Sequence, residues 1–106
     1  MNLDPEYLRD LTWDKIQPFL FGDRQRVLNA FLRHGQGTTR QISQLSGIDL
    51  LTLRPRTTEL VTLGLIECVG KDGTQGIYRA VKPDRQQAAF ERTVRSYLPE
   101  QTLLKI

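Results

Sequence analysis

The hydrophobic pattern of this chain changes period once, at Gly64. Before it, Leu53, Thr57, Leu60 and Gly64 fall at i, i+4, i+7 and i+11, the stripe of a helix with Val61 at its flank. After it, Leu65 to Val69 and Gly76 to Val81 read as two strands around Lys71-Asp72-Gly73-Thr74-Gln75, a hairpin signal. A three-residue loop, Asp72 to Thr74, gives the register in which Ile66, Cys68, Tyr78 and Ala80 share one face. The same register opposes Glu67 with Arg79 on the other face. The fold class that follows is mainly α with a small β-hairpin.

Pro55 constrains where the helix before Gly64 begins. With Thr52 as N-cap, Pro55 falls at the third helical position, where a backbone N–H has no partner within the helix. A start at Asp49 would place Pro55 in the interior, at a cost of ~3 kcal/mol. The expected helix therefore runs from about Leu53 to Leu63.

Upstream, Thr38-Thr39-Arg40-Gln41 is a capping box for a short helix that buries Ile42 and Leu45 and stops at Ser46-Gly47. Asp23 is the expected cap of the helix before it, with Val27, Leu28, Phe31 and Leu32 apolar and His34-Gly35 at its end. Asp4-Pro5 opens a helix to about Leu11, with Leu8 and Leu11 on one side. Pro18 then breaks the chain into a short turn and an apolar arm carrying Trp13, Ile16, Phe19 and Phe21. Downstream, Pro83-Asp84 starts a helix whose stripe is Phe90, Val94, Tyr97 and Leu98, until Pro99 ends it; the apolar tail 101–106 is expected to dock. At 106 residues the chain is one domain: an N-terminal helix and arm (1–22), a core unit (23–82), and a C-terminal helix and tail (83–106).

Composition narrows the function. A hydrophobic content of 39% with 25% charged residues suits a folded globular chain, and no apolar stretch approaches a membrane span. The acidic first residues lack the organisation of a signal peptide. A lone cysteine, Cys68, leaves no disulfide framework and fits a reducing cytosol; it is expected to be a buried strand residue. His34 and Cys68 are the only soft metal ligands, where zinc wants three or four, so neither metal nor cofactor is expected. There is no nucleophile–base pairing, no Gly-x-Gly-x-x-Gly and no P-loop, so no enzyme is expected. Charge is uneven: residues 1–23 hold two basic and five acidic groups, whereas residues 24–82 hold nine basic and four acidic. The middle of the chain is where a polyanion would be met.

The order of helix, capped short helix, glycine turn, longer helix and hairpin resembles the winged helix-turn-helix superfamily. The likeness is to small bacterial and phage DNA-binding regulators with a MarR-like or ArsR-like core. It covers about residues 23–82 and is carried by Thr38 to Gly47 and by Arg56 to Ile66, ending in Leu63-Gly64-Leu65-Ile66-Glu67.

The resemblance implies a soluble cytoplasmic protein, bacterial or phage-encoded, that binds double-stranded DNA in a sequence-specific way as a small transcriptional regulator. The helix at about 53–63 would be the recognition helix in the major groove. Thr52, Arg54, Arg56 and Thr58 would read bases, Arg54 first because arginine contacts guanine O6 and N7 bidentately. Thr39, Arg40 and Lys71 would meet the backbone, which positions rather than specifies. Glu59 counts against this, since a carboxylate on that side repels phosphate, and is best read as paired with Arg56 at i, i+3.

Tyr7, Trp13, Phe19, Phe90, Val94 and Tyr97 flank the core unit, and the two flanks are expected to pack together. They would do so across a homodimer with half-sites ~34 Å apart, or within a single chain. Any small-molecule effector is unknown. The alternative functions are a winged-helix module for protein–protein interaction, or a DNA-binding part of a phage or plasmid replication or recombination complex.

Overall fold

The computed structural model describes Leu8 and residues 10–97. The expectations on Tyr7, the start of the first helix, Leu98, Pro99 and the tail 101–106 lie outside them. The elements run α1 (Trp13–Ile16), a 3-10 turn (Pro18–Leu20), α2 (Asp23–His34), α3 (Thr39–Ser46), α4 (Leu50–Thr62), β1 (Ile66–Asp72), β2 (Gln75–Ala80) and α5 (Pro83–Arg95). The chain is thus mainly helical with a two-stranded antiparallel hairpin. No helix among the described residues is long and apolar enough to cross a membrane.

The helices end where local chemistry ends them. In α3 the capping box forms in full: Gln41 N–H donates to Thr38 Oγ1 at 3.2 Å and Thr38 N–H to Gln41 Oε1 at 2.9 Å. Two orphan donors are satisfied reciprocally. Helix α2 begins one residue earlier than a cap at Asp23 requires. Gly22 is the cap, and Asp23 lies in the first turn, 2.8 Å from Arg26. At the end of α4, Leu65 N–H reaches Leu60 C=O (2.9 Å) and Gly64 N–H reaches Val61 C=O (3.0 Å). This is a Schellman arrangement, and it needs the left-handed φ of +82° that Gly64 supplies. The period change at Gly64 is therefore a helix stop with the turn chemistry built in.

The start of α4 corrects the expectation. Asp49, not Thr52, is the N-cap, its carboxylate accepting from Leu51 N–H at 2.9 Å. Thr52 lies in the first turn and Pro55 inside the helix. Pro55 removes the bond that Leu51 C=O would have received. Leu51 and Pro55 are both exposed, so the freed carbonyl is on the solvent side. The extra turn is set by what flanks it. Leu53 N–H closes on Asp49 C=O at 2.8 Å, which seats Leu53 in the core with no exposed surface. Burying such a side chain is worth about 1.5–3 kcal/mol, comparable with the proline penalty.

Helices α2, α3 and α4 pack around Val27, Leu28, Phe31, Ile42, Leu53 and Leu60, all buried. Leu45, expected inside, is 60% exposed at the end of the two-turn α3. Thr57 is buried but satisfied, its hydroxyl donating to Leu53 C=O at 2.8 Å.

At its base the hairpin keeps the expected register, with Ile66 opposite Ala80, Glu67 opposite Arg79 and Cys68 opposite Tyr78. At its tip it does not: Asp72 pairs with Gln75 around a two-residue Gly73-Thr74 turn, and a bulge at Val69 absorbs the difference. Gly73 has φ +63°, which suits the first central position of a type II′ turn. Only Ile66 of β1 is buried, so Cys68 is exposed rather than in the core. The α2–α3 loop adds a one-residue third strand, since Gly37 and Tyr78 exchange both backbone bonds (3.0 and 2.9 Å).

The flanks close on each other within the chain. Trp13 lies against Phe90 with ring centroids 5.7 Å apart, and Leu8, Ile16, Leu20, Phe90 and Val94 are buried in one cluster. Phe19 and Tyr97 are half-buried against it, and Tyr97 Oη donates to Thr62 C=O at 3.2 Å.

Candidate nucleic-acid interface

Residues 54 and 56 stand two apart on a helix and so face different ways. Arg54 is exposed. Its Nε makes a long contact of 3.4 Å to Thr39 Oγ1, tying the outer face of α4 to the start of α3. Thr58, one turn on, is also exposed, and its hydroxyl donates to Arg54 C=O at 3.2 Å. Thr39, Arg54, Thr57 and Thr58 line one side of a cleft whose other side is Thr74, Gln75, Gly76 and Tyr78 of the hairpin. The Gly37–Tyr78 bridge ties the hairpin to the loop just before α3.

Arg56 does not join that face. Its Nε lies 2.6 Å from Glu59 Oε1, and Arg24 of α2 donates to Glu59 Oε2 at 3.0 Å. The Arg56 contact is short, yet its N–H does not point at the oxygen, so the attraction is coulombic rather than a formed hydrogen bond. The three side chains are mostly buried, between 18% and 30% exposed. Arg24 is also stacked 3.8 Å over the Phe19 ring. A row of Phe19, Arg24, Glu59 and Arg56 thus fastens the N-terminal arm to the inner flank of α4. Pairing of Arg56 with Glu59 is as expected; assignment of Arg56 to the outer face is not what the structure shows.

Thr52 is half-buried, and Arg40 and Lys71 are exposed, Arg40 at the start of α3 and Lys71 on β1 near the hairpin turn. Of the seven polar residues singled out from sequence, Thr39, Arg54 and Thr58 converge on one cleft. Thr74, Gln75 and Tyr78 are the additions. Periodicity could not reveal them, because they reach the cleft through a backbone bridge between residues 41 positions apart. Leu51, 84% exposed, is a further addition that follows once the helix is started at Asp49. Among the described residues no group of three or more His, Cys, Asp or Glu is placed to hold a metal ion.

No protein-family model, curated protein or solved structure matches the chain.

Proposed function

We propose that this chain binds double-stranded DNA as a small cytoplasmic transcriptional regulator of winged helix-turn-helix type, with α4 in the major groove. The observation that carries the reading is the distribution of charge around α4. Glu59, the one carboxylate within that helix, is turned inward and held by Arg24 and Arg56. Arg54 is left exposed on the outer face, beside Thr39 at the start of the helix that carries Arg40. A groove-facing helix needs exposed donors near its N-terminus, and the exposed carboxylate there, Asp49, is engaged as the cap by Leu51 N–H. Arg54 reads a guanine, Thr58 lies one turn along, and Arg40 and Lys71 meet phosphates on either side.

A homodimer would present two such helices to half-sites ~34 Å apart. Trp13, Phe90 and Val94 pack together within one chain.

The second reading, a protein-interaction module, is favoured by Phe21 (73% exposed) and Leu45 (60% exposed), which lie away from the cleft. Fluorescence anisotropy with random-sequence duplexes separates the two. The DNA reading expects binding at low salt that Arg54→Ala and Arg40→Ala weaken. A chain that binds no duplex under those conditions is not a DNA-binding protein of this kind.

A further inference from the structure

Among the described residues Leu51 is the most exposed large apolar side chain. It is the second residue of α4, and its backbone is fixed by the Asp49 cap rather than by any burial of its own. A single exposed leucine is ordinary. This one is distinguished by its company. Arg54 follows at i+3 and Pro55 at i+4, both exposed, and Thr58 continues the same face. An apolar spot of Leu51 and Pro55 therefore adjoins the exposed guanidinium of Arg54, on the side of the helix opposite the buried Leu53 and Leu60.

We propose that Leu51 is a specificity-determining residue of this face and contacts the C5-methyl group of a thymine in the major groove. The proposal rests on the DNA reading above. Its warrant is chemical complementarity: the thymine methyl is the one apolar group on the base edges that the major groove displays. Arg54 beside it suits the guanine edge and the surrounding phosphates. The spacing is also apt. Three residues of helix rise ~4.5 Å, close to one base-pair step of ~3.4 Å, so Leu51 and Arg54 address neighbouring pairs. The recognised sequence accordingly contains a thymine next to the guanine that Arg54 reads.

The test uses the full chain. Preferred duplexes are selected from a random pool with wild-type protein and with Leu51→Ala, and each thymine of the wild-type site is then replaced in turn by deoxyuridine, which lacks only the methyl group. One such replacement next to a guanine weakens wild-type binding about fourfold, the effect of one buried methyl-sized group, and does not weaken Leu51→Ala. Unchanged thermal stability of Leu51→Ala shows that folding is intact. Deoxyuridine without effect on the wild type, or with equal effect on both proteins, overturns the proposal. If selection depends on Arg54 and not on Leu51, the thymine contact falls and the DNA reading stands. If no duplex is enriched, both fall.

Discussion

Arg24 and Glu59 meet at 3.0 Å across 35 residues of chain, and the contact joins the first turn of α2 to the inner flank of α4. It neutralises the carboxylate that would otherwise oppose a polyanion, and it does so where both groups are largely removed from water. The functional face of α4 is thus defined from behind. What makes Arg54 available is that Glu59 is occupied elsewhere.

Glu59→Ala should lower stability by about 2 kcal/mol, the scale of lost hydrogen bonds to a charged group, because two half-buried guanidinium groups then lack their counter-charge. Thermal unfolding would show it as a fall of roughly 10 °C for a domain of this size. A melting temperature within a degree of wild type would mean that the cluster holds nothing together.

Arg54→Ala and Arg56→Ala should separate by phenotype although the residues are near neighbours. The first should weaken DNA binding about tenfold or more, the value of a bidentate base contact, and leave the melting temperature alone. The second should reduce stability and change base preference little. Loss of base preference in Arg56→Ala with full stability would reverse the assignment.

Gly64→Ala should be among the most damaging single changes. Its φ of +82° disfavours a side chain, and an added Cβ would lie 2.9 Å from Ala89 C=O and overlap the Thr93 side chain. The left-handed backbone and the overlap together suggest a loss of about 3 kcal/mol. Adding Thr93→Ala should recover only part of it, since the Ala89 carbonyl stays in place. Full recovery in the double variant, read by chemical denaturation, would place the strain in the side chain alone.

Pro55→Ala should raise the melting temperature. It returns an N–H to Leu51 C=O inside α4, and alanine is the better helix former by ~3 kcal/mol in a helix interior, offset in part by the greater freedom of the unfolded chain. A lower melting temperature would show that the ring is held by contacts worth more than the missing bond.

The fold could be read where local chemistry decides it. The Thr38–Gln41 capping box, the stop at Gly64 and the Glu67–Arg79 pairing each depend on residues near in sequence or fixed by one turn. The start of α4 could not be read this way. The local rule against an interior proline competes with the Asp49 cap and with seating Leu53 in the core, and these prevail. Leu45 and Cys68 fit their apolar patterns and are exposed because α3 is short and the hairpin leaves the core after Ile66. The cleft was half legible: Arg54 and Thr39 follow from helix starts, whereas Tyr78 arrives through its bridge to Gly37. Arg24 as partner of Glu59 is a long-range contact that no periodicity encodes.

The most direct test of the central claim is the salt dependence of duplex binding by wild-type protein and by Arg40→Ala. With Arg40 and Lys71 as the phosphate contacts of one copy, log affinity should fall against log salt with a slope of about −2. Arg40→Ala should reduce that slope by about 1 and weaken binding uniformly across sequences. Binding that is indifferent to salt, or absent at low salt, would contradict the account and turn attention to a protein partner for the exposed Phe21 and Leu45.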